Sequence, residues 1–127
     1  CWSEDNRAAG LRIPASSPVA RRVENRLPGA DTNPYLAIAA SLAAGLHGIE
    51  RKLQPAPAIQ GEFVVPEHLS LPCTLHAGIE RLRRSTLARE LFGEEFIEGY
   101  VATKTLELSD FFDEITPWER RVLAAQA

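Results

Sequence analysis

The 127-residue chain reads as an α+β protein, two short antiparallel strands followed by a mostly helical remainder. Three observations carry that reading. Near the N-terminus, Leu11-Arg12-Ile13 and the run from Arg22 to Leu27 are short extended segments separated by proline- and serine-containing turns. From Leu36 to Leu46 only Ser41 is even mildly polar, which describes a helix apolar on all sides. Beyond Thr74, apolar residues recur at spacings of three and four, the period of amphipathic helices.

Each element follows from local chemistry. Leu11-Arg12-Ile13 stops at Pro14, the Ser16-Ser17-Pro18 turn leads to the second strand, and Pro28-Gly29 closes it. In that second strand Arg22, Glu24 and Arg26 sit at alternate positions. Extended backbone would aim all three to one face and Val23, Asn25 and Leu27 to the other. Two strands cannot hide a hydrophobic face alone, so neighbours from further polypeptide are expected.

The first helix opens at Asn33-Pro34, an N-cap followed by proline at the first helical position, and closes near Glu50-Arg51-Lys52. Its apolar character predicts a central, buried helix. It is too short to cross a bilayer, which takes roughly 20 apolar residues. Gln54-Pro55-Ala56-Pro57 is a stiff connector, and residues 59–72 are irregular apart from a short extended piece at Phe63-Val64-Val65. Helices are then expected over Thr74–Arg84, from Ser85 to Leu91 with Gly93 as the stop, and over Glu94–Phe111. Thr116-Pro117-Trp118-Glu119 has the capping-box pattern of a last helix.

Composition excludes several classes of function. Hydrophobic residues make up 45% of the chain, enough for one modest domain with its own core. Net charge is −3, and residues 1–32 hold five arginines against four acids, leaving a deficit of four for the remainder. Such a distribution offers no basic face for nucleic acid; Arg81, Arg83 and Arg84 fit a solvated helix end. Cys1 and Cys73 show no pairing pattern, and Glu4, Asp5 and Arg7 interrupt any signal-peptide character, so a reducing, cytoplasmic setting is expected. His47, His68 and His76 lack metal-ligand spacing, and Ser16-Ser17 lacks the setting of a nucleophile. Tyr35, Tyr100, Trp2 and Trp118 read as packing residues, and Glu94-Glu95 and Asp110 to Glu114 as solvated acidic faces.

The chemistry concentrates at Arg22-Val23-Glu24-Asn25-Arg26. Each guanidinium offers a planar fork for a carboxylate or phosphate, and the glutamate is a hard oxygen ligand for Mg²⁺ or Mn²⁺. From spacing alone an exposed ladder of ion pairs is favoured over a site.

A longer pattern bears on that choice. Asn6-Arg7, Leu11-Arg12-Ile13-Pro14, Ser17-Pro18, Arg21-Arg22-Val23-Glu24-Asn25-Arg26 and Asn33-Pro34-Tyr35-Leu36-Ala37 keep order and spacing and resemble the C-terminal catalytic region of glutamine synthetases. Ala43-Ala44-Gly45-Leu46, Gly48-Ile49 and the segment from Phe111 to Arg121 extend the resemblance over essentially the whole chain. Val23 to Asp31 and Ile115 to Arg120 look more like the γ-glutamyl-polyamine synthetase branch than the ammonia-using enzymes.

This resemblance implies that residues 1–127 form the C-terminal part of a catalytic domain, with active-site strands in residues 1–32 and helices in residues 33–127. It implies an ATP-dependent ligase in which glutamate is phosphorylated and the γ-glutamyl phosphate is attacked by an amine such as putrescine, or by ammonia. Carried over by position, Glu24 would ligate Mg²⁺ or Mn²⁺ and Arg26 would grip the glutamate carboxylate. Arg7 would reach both glutamate and the transferring phosphate, Arg12 the ATP phosphates, and Arg22 the nucleotide edge. A ring-shaped homo-oligomer is implied as well, and a chain of this extent would not act alone. The rival expectation is a non-catalytic helical assembly module. Val19 replaces a lysine that touches nucleotide in many bacterial members, and Gly61-Glu62-Phe63-Val64-Val65-Pro66 has no counterpart of the adenylylated tyrosine, so that modification is not expected.

Overall fold

The computed structural model describes residues 1–126, apart from the side chain of His68. The expectation for His68 therefore lies outside the described residues. In chain order the elements are β1 (Trp2–Ser3), β2 (Leu11–Arg12), β3 (Glu24–Asn25), α1 (Pro34–Glu50), α2 (Leu75–Arg83), α3 (Thr86–Phe92), α4 (Glu94–Asp113) and α5 (Pro117–Leu123). Short 3₁₀ turns occupy Pro18–Ala20 and Glu67–Leu69. Contacts divide the chain into two units, Cys1–Ser70 and Leu71–Ala127.

In the first unit the strands form one sheet in the order β1-β2-β3. The antiparallel pair expected from the sequence is β2 with β3, in register Leu11↔Asn25 and Arg12↔Glu24. β1 adds a parallel partner on the other side of β2. Its two residues are too few to show the alternation by which a strand is read. The second strand is also shorter than its extended run: pairing covers Glu24–Asn25, with one further bond from Arg26 N–H to Gly10 O at 2.9 Å.

Beyond the sheet, Ile59 N–H donates to Trp2 O at 2.9 Å and the Trp2 indole donates to Ala56 O at 2.6 Å, laying the connector along the β1 edge. Ser3, Ala9 and Ile59 are the buried residues there. Gly10 allows a close approach, since a Cβ at that position would meet Leu27 Cδ2 at 2.8 Å.

Phe63-Val64-Val65, expected to be extended, joins no ladder among the described residues. The outer β1 edge is instead engaged by Ile59.

α1 is capped as the sequence implies: Asn33 Oδ1 accepts from Tyr35 N–H at 3.0 Å and Leu36 N–H at 3.3 Å, with Pro34 at the first helical position. It ends in a Schellman motif. Lys52 N–H bonds Ile49 O, Leu53 N–H bonds Gly48 O, and Lys52 takes the left-handed conformation at φ 52°. Within this chain alone the apolar helix is uncovered, as expected where its neighbours come from further polypeptide: Ile38, Leu42, Leu46 and Ile49 are more than half exposed. Three two-residue strands cannot cover a helix about 25 Å long. For the same reason Tyr35, read as a packing residue, is 82% exposed.

The second unit packs α2 and α3 against α4 around Ile79, Ile97 and Val101, flanked by Leu82, Ala88, Phe92 and Leu108. Thr74 and Ser85 cap α2 and α3 through hydroxyls that accept from Ala77 and Ala88 N–H groups. Gly93, at φ 84°, ends α3 and begins α4, a conformation that needs its missing Cβ. Arg89 braces this corner by donating to Glu98, Glu94 and Arg83 O. Glu94, read as a solvated acid, is thus ion-paired. Tyr100 stacks on Phe96 with ring centroids 5.8 Å apart, whereas Trp118 remains largely exposed.

The capping box at α5 is present in both directions. Glu119 N–H donates to Thr116 Oγ1 at 3.1 Å, and Thr116 N–H donates to Glu119 Oε2 at 2.8 Å. The Thr116 backbone and hydroxyl bonds hold the Glu119 carboxyl below its ordinary value. Replacing Thr116 by alanine should cost the helix about 1 kcal/mol, and Thr116→Ser much less. Amide hydrogen exchange across α5 should quicken roughly fivefold in the alanine variant alone.

Candidate active-site ribbon

β2 and β3 place Arg12 opposite Glu24, so their side chains meet across the ladder. Arg12 Nη1 donates to Glu24 Oε2 at 3.0 Å. From the segment just before β3, Arg22 reaches Glu24 Oε1, with Nε at 3.0 Å and Nη2 at 2.8 Å. Each oxygen of this half-buried carboxylate therefore faces a different guanidinium. Arg12 also lies 3.4 Å from Asp5, and its buried Nε has no hydrogen-bond partner among the described residues.

Arg22 and Glu24 thus come together as alternation requires, and Arg12 joins them. Arg26 does not enter that ion pair; its Nε donates to Arg7 O at 3.1 Å. This bond ties the two arginine-bearing segments together, while the Arg7 side chain is exposed. Val19 is almost fully exposed in its 3₁₀ turn.

The Arg12 hydrogen bond is the largest influence on Glu24 and holds its carboxyl below the ordinary value; desolvation opposes it, and Arg22 adds to the lowering. A carboxyl whose folded value is depressed binds fewer protons than in the unfolded chain. Its stabilisation is present above the ordinary 4.5 and is lost as pH falls through the depressed folded value. Acid titration of the folded protein should therefore show stability falling below about pH 5. Glu24→Gln should flatten that slope; an identical slope in the variant would remove Glu24 as a contributor.

A cleft of about 510 Å³ lies between residues 3–6 and residues 58–61. Asp5, whose side chain is fully exposed, belongs to its wall and lies 3.4 Å from Arg12, whereas Arg12, Arg22 and Glu24 do not line it. Asn6 shapes the wall: its amide donates to Gly61 O at 2.7 Å, its Oδ1 accepts from Ala8 N–H, and its N–H donates to Ser3 Oγ. Asp5, Asn6 and Ser3 escaped the sequence reading as structural members of the site. A short polar side chain beside a glycine-bounded turn, an Asx-turn signal at Asn6, could have marked one of them.

No group of three or more His, Cys, Asp or Glu among the described residues forms a metal cage. The donor set still fits a divalent hard cation in part, because Glu24 is a half-buried carboxylate held ionised by its arginine partners. Mg²⁺ is commonly held by one or two carboxylates together with substrate phosphates and water. Among the described residues, no helix is long and apolar enough to cross a membrane.

A family model described as glutamine synthetase, catalytic domain, matches residues 1–123. The chain is 45% identical over 123 residues to a glutamate–isopropylamine ligase of a Pseudomonas species, covering 93% of this chain and 26% of the relative. It is 41% identical to the gamma-glutamylethanolamide synthetase of Streptomyces coelicolor, with 94% and 26% covered. It is 40% identical to the glutamine synthetase of Thermus thermophilus, with 93% and 28% covered. The chain therefore spans about a quarter of the length of these relatives. With a motif-bearing ribbon, the match across nearly every residue and these identities, the chain belongs to the glutamine synthetase catalytic-domain family.

Proposed function

We propose that this chain supplies the C-terminal active-site ribbon of an ATP-dependent glutamate–amine ligase. The observation that carries the reading is Glu24 held between Arg12 and Arg22, with Arg26 linked to Arg7 on the adjoining segment. That arrangement gathers several cations around one carboxylate, the charge pattern phosphoryl transfer needs to neutralise phosphate oxygens.

In this reading Glu24 provides one oxygen ligand to Mg²⁺ or Mn²⁺. The ion, when bound, neutralises phosphate charge and polarises phosphoryl oxygens. Arg12 and Arg22 steer the ATP phosphates and the nucleotide edge. Arg7 spans glutamate and the transferring phosphoryl group, and Arg26 holds the glutamate carboxylate. The γ-carboxylate oxygen attacks the terminal phosphorus, ADP leaves, and the amine nitrogen then attacks the γ-carbonyl carbon and expels phosphate. Remaining ligands and walls come from polypeptide beyond these residues, in a ring-shaped homo-oligomer acting in the cytoplasm.

An amine rather than ammonia is favoured as the acceptor. Two relatives at 45% and 41% identity are named for isopropylamine and ethanolamide chemistry, and we extend the reading to a polyamine such as putrescine. Phosphate release by the full-length protein should require ATP, glutamate and a divalent ion, with kcat/KM for putrescine at least about tenfold above that for ammonia. Equal or better use of ammonia would overturn the amine assignment, and no ATP- and glutamate-dependent release with any amine would overturn the ligase reading. Arg26→Ala should chiefly raise the KM for glutamate while kcat changes little.

A further inference from the structure

We propose that Asn25 and Ser41 form a positioning pair that clamps β3 to α1 and so fixes the aim of Glu24 and Arg26, an inference that rests on the ligase reading above. β3 is an edge strand two residues long, bonded laterally, among the described residues, only to β2. Such a strand has little ladder of its own to resist displacement. Asn25 alternates with Glu24, so its side chain departs from the opposite face of the backbone. Its Nδ2 donates to Ser41 Oγ at 2.8 Å, while its Oδ1 accepts from Leu27 N–H at 3.1 Å.

Ser41 is equally constrained. Its hydroxyl donates to Ala37 O one turn back at 2.7 Å, which fixes the rotamer and leaves an oxygen lone pair for Asn25. Ser41 is the one polar side chain between Leu36 and Leu46. Over that stretch the helix has no other side-chain group with which to hold the strand by a hydrogen bond. The chain Leu27 N–H to Asn25 to Ser41 to Ala37 O therefore transmits the position of a rigid helix to the residue between Glu24 and Arg26. A site held by locked supporting groups keeps its ligands within the tolerance that metal and substrate need.

The test uses Mn²⁺ binding to the full-length protein, followed by electron paramagnetic resonance of the free ion without turnover. Ser41→Ala places the best helix former at that position, so α1 itself should be unharmed. Mn²⁺ affinity should fall about tenfold in Ser41→Ala and in Asn25→Ala, and the double variant should lose no more than either single. Ser41→Thr, which keeps a hydroxyl able to bond the preceding turn, should bind within about twofold of the parent. A merely structural role would lower the melting temperature and leave Mn²⁺ affinity unchanged, and that result overturns the pair. So would additive losses in the double variant. Unaltered Mn²⁺ binding in Glu24→Ala identifies a different failure: it removes the metal role of Glu24, and the pair's role with it, whereas the ligase reading itself falls only if ATP- and glutamate-dependent phosphate release is absent.

Discussion

Glu24→Ala in the full-length protein should reduce metal-dependent turnover by about a hundredfold or more. A ligand to the divalent ion stabilises charge that develops on phosphoryl oxygens, a contribution of several kcal/mol to the barrier in metal-assisted transfer. Both carboxylate oxygens are engaged, one by Arg12 and one by Arg22. The substitution therefore also leaves two guanidiniums without their partner. Glu24→Gln separates the two effects, since it keeps the length of the side chain and one carbonyl acceptor while removing the negative charge. If metal ligation is the main role, both variants should lose turnover, and raising Mn²⁺ should partly restore the glutamine variant. If Glu24 only orders the arginines, Glu24→Gln should retain most activity and its metal dependence should match the parent. Full turnover by Glu24→Ala would dismiss the metal assignment outright.

Ile97→Ala should destabilise the helical unit by about 2–5 kcal/mol, while Ile97→Val should cost about 0.5–1.5 kcal/mol. Ile97 is 1% exposed and is the largest side chain wholly enclosed among the described residues. It meets Ile79 and Val101 at the centre of a cluster with only partly buried neighbours. A core of three buried residues has few atoms with which to close a cavity, which places the cost toward the upper part of that range. Denaturant midpoints at unchanged slope should report it. Activity per folded molecule should be preserved, because the residue lies outside the ribbon. A shift under about 0.5 kcal/mol would mean that this centre does not hold the helices together.

The sequence was most informative wherever a local rule acted by itself. Asn33 and Pro34 start α1, Ser85 and Gly93 bound α3, and Thr116 with Glu119 caps α5, all through bonds spanning four residues or fewer. Alternation along residues 22–26 foretold that Arg22 and Glu24 would meet, though not that Arg26 would turn to the carbonyl of Arg7. β1 went unseen because two residues carry no period, and Phe63 to Val65 suggested a strand because extended propensity says nothing about an available edge. The apolar pattern of α1 was read correctly as a helix, and its exposed faces here fit the expectation that its cover comes from further polypeptide.

Residue order alone was sufficient for the family pattern, the helix boundaries and the cationic character of the ribbon, because caps, periodicity and motif spacing are properties of neighbours along the chain. Coordinates were needed for the joining of Arg12 to Glu24 across 12 positions, of Arg26 to Arg7 across 19, and of Asn25 to Ser41 across 16. Those pairings depend on strand register and on where a helix comes to rest. Both are settled by packing between segments distant in sequence, which no local pattern encodes.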